Sequence, residues 1–212
     1  MTTVVGLFDD YGEADCACSS LLSAGFPRDD IGLLACEQAW DRTHPNDALD
    51  EAEGIRGLLV GVGAIAVAGI GPIVAVGPIL TTLVGAAGGI FGALTQSGIP
   101  DEHAGYYAEA VRRGGTLVLV RASDDLAPSA ADILENEGAV DVEKRADVWR
   151  QRGFRAYDPG AAALTAEEIL RERASLPVAQ RLEGTAIETG RVHVYPDTAA
   201  RVGERRAEVR HP

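Results

Sequence analysis

Residues 2–36 decide the fold, and they read TTVVGLFDDYGEADCACSSLLSAGFPRDDIGLLAC. The run Thr2–Phe8 is apolar, rich in β-branched residues and bounded by two aspartates, which predicts a short strand. A second apolar run of the same kind closes the segment at Ile31–Cys36. The segment between them is long enough for one helix, so these residues predict a βαβ unit.

The helix of this unit has both a start and a stop signal. Asp10 followed by Glu13 has the spacing of a capping box, with an aspartate at the cap. Gly25 follows the last apolar residue of the helix and is typical of a helix C-terminus. We therefore expect a helix over residues 11–24.

The same order of elements returns about 113 residues later. Residues 115–120 predict a strand, residues 126–137 a helix that ends at Gly138, and residues 139–142 a short strand. Two βαβ units in tandem give βαββαβ, the ferredoxin-like arrangement, in which a four-stranded antiparallel sheet carries two helices on one face. We therefore predict an α+β fold of this type.

A long insertion separates the predicted units. Eleven glycines lie between Gly57 and Gly98, and residues 57–100 contain no charged residue. Two prolines divide the stretch into two apolar limbs, which we interpret as a helical hairpin. The resulting division of the chain is a first βαβ unit (1–36), an insertion (37–114) with the hairpin (57–97) and a helix (101–113), a second βαβ unit (115–146) and a C-terminal arm (147–212).

The C-terminal arm has a different character. Trp149, Phe154 and Tyr157 form a small group of aromatic residues in sequence. Thr165 with Glu168 is a second capping box and predicts a helix that continues to about residue 174. Residues 187–195 predict a hairpin around a Thr-Gly turn.

Composition excludes several classes of protein. The chain has 212 residues and a formal net charge of −13, and nucleic-acid binding needs clustered Lys and Arg, so we expect no nucleic-acid partner. Three cysteines are too few for a disulfide framework and favour a cytoplasmic location. The first residues lack the basic and apolar pattern of a secretory signal, so we expect none.

Several motifs, taken in order, resemble those of a known family, the bacterial general stress proteins of the heat-induced YflT type and the low-temperature-induced type. They are Val4-Val5-Gly6-Leu7-Phe8-Asp9-Asp10-Tyr11-Gly12-Glu13-Ala14, Gly69-Ile70-Gly71-Pro72, Gly77-Pro78, Gly98-Ile99-Pro100, Tyr106-Tyr107 and Val111-Arg112-Arg113-Gly114-Gly115-Thr116-Leu117-Val118. The resemblance covers residues 2–157. It implies a role in stress responses and carries no catalytic residue over to this chain. Residues 176–195 resemble the opening of a stress-associated domain of unknown function.

Three interpretations of the glycine-rich stretch stay open. In the first, small residues let two helices pack closely and self-associate with another copy, because so apolar a surface must be buried. In the second, the two limbs cross a membrane, although the acidic flanks oppose the usual excess of positive charge. In the third, the protein changes between a soluble oligomer and a membrane-inserted form.

The expected function follows from the first interpretation. We expect a non-enzymatic, cytoplasmic stress-response protein that forms a homo-oligomer through the hairpin. A membrane-anchored or membrane-remodelling protein is the alternative, and a small-molecule binding module is the second alternative. The residues expected to mediate self-association or membrane contact are Gly57, Gly61, Gly69, Gly71, Pro72, Gly77, Pro78, Gly85, Gly88, Gly89 and Gly92.

Chemistry-bearing residues form no motif along the chain. Cys16 and Cys18 lie two apart on the predicted helix and point in different directions, which fits neither a zinc site nor a thioredoxin motif. The acidic residues of positions 9–15 fail the EF-hand pattern, so helix capping explains them better than a weakly bound cation does. The four histidines are His44, His103, His193 and His211, and their spacing is not that of metal ligands. We therefore expect no catalytic residue, no cofactor and no metal.

Overall fold

The computed structural model describes residues 1–36, 63–67, 70–175 and 191–196. Within these ranges the chain is an α+β protein with seven α-helices and a six-stranded antiparallel sheet. The strands are β1 (Thr2–Phe8), β2 (Ile31–Cys36), β3 (Gly63–Val67), β4 (Gly71–Val76), β5 (Thr116–Ala122) and β6 (His193–Pro196). The helices are α1 (Tyr11–Ser23), α2 (Pro78–Gly85), α3 (Gly89–Gln96), α4 (Asp101–Arg112), α5 (Ala127–Asn136), α6 (Val142–Gln151) and α7 (Ala166–Ser175).

The first βαβ unit is confirmed. Strands β1 and β2 have the predicted bounds, and α1 ends at Ser23, one residue before the predicted end. Asp10 caps α1, because its side chain accepts a hydrogen bond from the backbone N–H of Gly12 at 2.8 Å. Asp9 beside it forms an ion pair with Arg145 of α6, which is almost fully buried.

The second unit is confirmed only for its first two elements. Strand β5 and helix α5 follow the predicted order and lie close to the predicted bounds. The predicted strand over residues 139–142 is wrong. Val140 makes one isolated antiparallel bridge to Leu7, and α6 begins at Val142. Asp141 caps α6 by accepting hydrogen bonds from the N–H groups of Glu143 and Lys144, so the chain turns into a helix instead.

The helical hairpin predicted over residues 57–97 is wrong in its described first limb. Strands β3 and β4 form an antiparallel pair there, with Ile65 opposite Ile73. Isoleucine and valine recur through this limb, and β-branched side chains favour strands over helices. Residues 37–62 and 68–69 lie outside the described ranges, and so do Gly57, Gly61 and Gly69. The second limb is helical, as two short helices, α2 and α3.

The strands lie in the order β3-β4-β2-β5-β1-β6, and each neighbouring pair is antiparallel. Strand β1 is therefore an inner strand, between β5 and the C-terminal strand β6. All seven residues of β1 are buried. Such complete burial requires a cover on both faces of the sheet.

Helices cover both faces of the sheet. A Cβ atom built on Gly6 would meet Leu134 of α5, and one built on Gly32 would meet Ile79 of α2. Gly6 pairs with Val118, which pairs with Leu33, so Gly32 points to the face opposite Gly6. Helix α5 therefore lies on one face and α2 on the other.

The described part of the glycine-rich stretch packs on the protein's own sheet. Helices α2 and α3 contribute Ile79, Leu83, Ile90, Ala93 and Leu94 to the buried core. Helix α4 follows, in the position predicted for the helix over residues 101–113, and buries its apolar face in the same core. The burial of these side chains inside one chain removes much of the apolar surface that the sequence alone left without a cover.

The C-terminal arm returns to the main body at two points. Strand β6 pairs with the outer edge of β1, with His193 opposite Val5 and Tyr195 opposite Thr3. Helix α7 begins at the predicted capping box, where the N–H and hydroxyl of Thr165 both donate to Glu168 at 2.8 Å. The predicted strand is confirmed for residues 193–195, Val192 lies just before β6, and residues 187–190 of the predicted hairpin lie outside the described residues.

Candidate metal centre

Three elements that are distant in sequence bring His103, Glu143 and His193 together. His103 lies in the first turn of α4, Glu143 in the first turn of α6, and His193 begins β6. Each position is fixed by its element. Pro100 and Asp101 begin α4, Asp141 caps α6, and pairing with β1 holds β6 in register.

The two imidazoles converge on one carboxylate. The distance from His103 Nε2 to Glu143 Oε1 is 3.1 Å, and that from His193 Nε2 to the same oxygen is 3.5 Å. The centroids of the two imidazole rings lie 4.9 Å apart. One ligand atom from each of the three residues can be chosen so that all lie within 4.8 Å of one another, which is close enough to hold one metal ion.

Two tyrosines hold the other nitrogen of each imidazole. His103 Nδ1 lies 2.7 Å from the hydroxyl oxygen of Tyr195, and His193 Nδ1 lies 3.2 Å from that of Tyr107. The hydroxyl oxygens of Tyr195 and Tyr107 lie 3.4 Å apart. Both tyrosines are buried. The imidazole orientations are therefore fixed by contacts on the side away from Glu143.

Burial and neighbouring charges shift the pKa of His193 and of the two tyrosines. Burial lowers the pKa of His193, and the neighbouring His103 lowers it further, while Glu143 and Asp141 act in the opposite direction. Burial also raises the pKa of Tyr107 and Tyr195. The hydroxyls thus keep their protons, and the neutral imidazole, which is the form that binds metals, is favoured for His193.

An ion pair lies next to the cluster, beside Tyr106, whose ring centroid is 6.1 Å from that of His103. The guanidinium of Arg150 lies over the ring of Tyr106, 4.8 Å from its centroid, and 3.3 Å from Glu102. Tyr106 donates a hydrogen bond to Glu102. Glu143 itself is 57% exposed, whereas His103 and His193 are 22% and 19% exposed. Solvent therefore reaches the cluster from the Glu143 side.

Although their spacing in sequence is not that of metal ligands, His103 and His193 lie together in the structure, while His44 and His211 lie outside the described residues. His103, Glu143 and His193 are separated by forty and fifty positions, so no local spacing reveals them. Each of the two elements that meet here does carry a local signal, a histidine and a tyrosine on the same face. His193 and Tyr195 lie two apart on a strand and share one face, and His103 and Tyr107 lie four apart on a helix and share one face.

The glycines and prolines expected to mediate association do not take part in this cluster. Their described members, Gly71, Pro72, Gly77, Pro78, Gly85, Gly88, Gly89 and Gly92, lie on β4, on α2 and α3 and in the adjoining turns. Among the cysteines, Cys16 is exposed, and Cys18 and Cys36 are buried. Burial raises the pKa of Cys18 to about 12, so that it behaves as an apolar side chain.

A concave feature apart from the cluster lies between the sheet and α2. It is an open cleft of about 710 Å³, lined among others by Thr3, Gly32, Pro78, Ser97 and Arg121. Arg121 forms an ion pair with Asp30 at its edge, at 3.1 Å. In the described residues the cleft contains none of the histidines of the cluster.

Within the described ranges, no single helix combines the length and the apolar character needed to cross a membrane. Helices α2 and α3 meet these criteria only when taken together, and the chain bends by 120° between them.

No protein-family model, no curated protein and no solved structure matches this chain.

Proposed function

We propose that this protein binds a divalent transition-metal ion, with zinc as the best fit, through His103, Glu143 and His193. The proposal is carried by one observation: two imidazole Nε2 atoms converge on the same carboxylate oxygen, at 3.1 and 3.5 Å. In a tetrahedral zinc site with metal–ligand distances of about 2.0–2.1 Å, neighbouring ligand atoms lie about 3.3 Å apart. The two nitrogen–oxygen separations therefore match those of one tetrahedral ion, and all three ligand atoms lie within 4.8 Å of one another.

The chemistry of the three donors selects among metals. Imidazole nitrogen suits zinc, cobalt, nickel and copper, whereas magnesium and calcium prefer sites made only of oxygen ligands. Two imidazoles and one carboxylate therefore favour zinc over the abundant hard cations. Glu143 is more than half exposed, so a water molecule or a small ligand can complete the coordination from the solvent side.

A bound ion would also connect parts of the chain that are distant in sequence. His103 belongs to α4, Glu143 to α6 and His193 to β6. An ion held by all three resists separation of these elements, because any ligand that binds only the folded form stabilises it. The structural consequence of the proposal is that a bound ion strengthens the attachment of β6, which pairing with β1 already provides.

The test is a metal titration of the full chain. The purified protein is stripped with a chelator and titrated with zinc against a chromophoric competitor, and with cobalt to read its absorption spectrum. We expect one ion per chain and a cobalt spectrum typical of four-coordinate geometry. Substitutions His103→Gln, Glu143→Gln and His193→Gln should each weaken zinc binding by more than about 100-fold, a larger loss than outer-shell changes cause.

A matched control separates the site from the general acidity of the protein. Glu167 is exposed on α7 and pairs with Arg171, four residues further along the same helix. The variant Glu167→Gln changes the net charge as Glu143→Gln does, and we expect it to bind zinc like the wild type. The proposal is wrong if the wild type takes up no stoichiometric zinc, or if the three cluster variants bind as tightly as the control.

We also propose a second function, which keeps the expectation of a non-enzymatic stress-response protein that self-associates. Two observations favour a contact between copies. Val84 of α2 is 72% exposed with Gly85 beside it, and β3 is the outermost described strand on its side of the sheet. Exposed apolar side chains and outer strands are common elements of protein interfaces. The membrane alternative would use the bent pair α2 and α3, and the small-molecule alternative the cleft beside α2.

Self-association is tested by light scattering after size-exclusion chromatography. Under this proposal the wild type is larger than one chain, and Val84→Lys lowers its mass to that of a monomer. Leu126→Lys is the control, because Leu126 is also exposed but precedes α5, which covers the other face of the sheet. A monomeric wild type, or equal masses for Val84→Lys and the wild type, would contradict this second function. Sedimentation of untreated lysate tests the membrane alternative.

For the fold, we propose that the sheet is a ferredoxin-like βαββαβ core with added strands. Three observations support this proposal. Strands β2, β5 and β1 are neighbours in that order, Val140 bridges to the remaining side of β1, and α1 and α5 follow β1 and β5. In this view β3, β4 and helices α2 to α4 form the insertion, and β6 takes the edge where a fourth strand would lie.

A further inference from the structure

We infer that Tyr107 and Tyr195 are the positioning residues of the metal site, and that their hydroxyl groups reverse the direction of their hydrogen bonds when a metal binds. The inference rests on the proposed metal function and assigns to two buried tyrosines a role beyond packing. Neither hydroxyl touches Glu143; each acts on the metal through a histidine.

Each of the two tyrosines contacts the histidine that lies on the other element. Tyr107 lies on α4, one turn after His103, but holds His193 of β6. Tyr195 lies on β6, two residues after His193, but holds His103 of α4. Each element therefore orients the ligand that the other element supplies. The site forms its correct geometry only when β6 is paired with β1 and α4 is in place.

Without a metal, one proton arrangement gives a partner to all four imidazole nitrogens of the cluster. Both tyrosine hydroxyls donate to the Nδ1 atoms, over 2.7 and 3.2 Å. Both neutral imidazoles then carry their proton on Nε2 and donate it to Glu143 Oε1, over 3.1 and 3.5 Å. A carboxylate oxygen accepts two such bonds readily.

With a metal, the same heavy atoms allow the imidazole protons to take the opposite positions. The Nε2 lone pairs now bind the ion, so each neutral imidazole carries its proton on Nδ1 and donates it to a tyrosine oxygen. Each imidazole holds one proton before and after, so the exchange needs no net gain or loss of protons by the histidines. One hydroxyl proton can turn to the neighbouring hydroxyl oxygen, 3.4 Å away.

Only a hydroxyl group makes this reversal possible. A carboxylate at the same place would always accept and an ammonium group would always donate, whereas a hydroxyl does either. Burial raises the pKa of both tyrosines, so they stay neutral hydroxyls in both arrangements. The pair therefore fits a site that gains and loses its ion without rebuilding its surroundings.

The experiment compares zinc affinity and histidine tautomers in single Tyr→Phe variants. We expect Tyr195→Phe and Tyr107→Phe to weaken zinc binding about 10- to 100-fold, as losses of outer-shell contacts do. Tyr106→Phe is the control, because Tyr106 lies beside His103 but hydrogen bonds to Glu102. Its zinc affinity should equal that of the wild type.

Nitrogen-15 NMR of the histidine rings gives the readout that a purely structural role would not change. In the wild type, zinc should move the imidazole proton from Nε2 to Nδ1 in both residues. In zinc-free Tyr195→Phe, His103 should lose its single tautomer while His193 keeps it, and Tyr107→Phe should show the converse.

Two results would overturn the inference while the metal site stands. One is zinc affinity in both Phe variants equal to that of Tyr106→Phe. The other is an Nδ1 proton on both histidines with and without zinc in the wild type, a measurement that does not depend on whether any variant folds. If the wild type itself binds no zinc, the proposed function fails first, and the inference fails with it.

Discussion

The first βαβ unit and the histidine–tyrosine cluster are built in opposite ways. Residues 2–36 form two strands and a helix from contiguous sequence, with start and stop signals inside the segment. The cluster takes its residues from α4, α6 and β6, and each of its key contacts crosses between elements. The comparison shows that local pattern determines the elements of this protein, while its chemistry depends on which element ends lie together.

The largest expected effect tests whether the two regions are energetically separate. Phe8 is fully buried in β1, on the face that packs against α5. Phe8→Ala should lower the free energy of unfolding by about 3–5 kcal/mol, as large-to-small core substitutions do. Zinc affinity of the remaining folded protein should change by no more than about twofold, since distant sites behave additively. Urea unfolding and zinc titration measure the two quantities, with the exposed Leu170→Ala as control. A large loss of affinity would show that the regions are coupled.

The second prediction concerns a change made in the cluster alone, with the first βαβ unit left intact. Zinc at 100 times its dissociation constant should raise the free energy of unfolding by about 2.7 kcal/mol. His193→Gln should remove this increment and leave the stability of the zinc-free protein close to that of the wild type. Urea unfolding with zinc and with chelator measures the increment. A zinc effect that survives in His193→Gln would assign the binding to another site.

The third prediction concerns the point where the glycine-rich stretch meets the first unit. Gly77 has a φ of +75°, and a Cβ there would lie 2.1 Å from the carbonyl oxygen of Ile31. Gly77→Ala should therefore cost at least about 1–3 kcal/mol of unfolding free energy. Gly85 ends α2 with no atom within 4 Å of its Cβ position, so Gly85→Ala should raise stability by up to about 0.5–1 kcal/mol. Thermal unfolding of both variants checks the opposite signs, and equal signs would show that packing at these glycines is not as described.

We expect the smallest effect on stability at the capping box of α7. This box, like the signals of the first unit, is formed by residues close together in sequence. Hydrogen bonds from the backbone and side chain of Thr165 lower the pKa of Glu168. Because the folded pKa is depressed, the stabilisation of α7 is complete above the ordinary glutamate pKa of about 4.3 and is lost as pH falls through the lower folded value. NMR titration of the Glu168 carboxyl should show this lowered midpoint, and Thr165→Ala should return it towards the ordinary value. An unchanged midpoint in the variant would mean that the box does not form.

The hairpin shows where sequence reasoning was limited. The apolar limbs suggested two helices because glycine spacing suits close helix contact, but the first described limb forms β3 and β4. Short apolar runs are compatible with a buried strand and with a buried helix, and only the β-branched residues favour the strand. The edge of β2 favours a strand here, because β4 pairs with it from Leu33–Val76 to Cys36–Ile73.

The candidate site could not be predicted from the sequence, for a different reason. Its only local signals are the spacings His103–Tyr107 and His193–Tyr195. Each spacing is also compatible with ordinary packing on a helix or strand. Only the pairing of β6 with β1 brings His193 to the N-terminus of α4, and only the Asp141 cap turns Glu143 towards the same point. No periodicity within one element contains that information.

Local sequence was enough to predict the α+β class, the first unit, β5, α4, α5, the Asp10 cap and the capping box of α7, because each depends on residues close together in the chain. The tertiary structure alone decided that the C-terminal strand lies beside β1, that the glycine-rich segment covers the protein's own sheet, and that two histidines share one carboxylate. These features arise from pairing and burial between distant segments. The interactions that stabilise these features form only when the sheet and the helices on its two faces have assembled. No single stretch of the chain therefore encodes them.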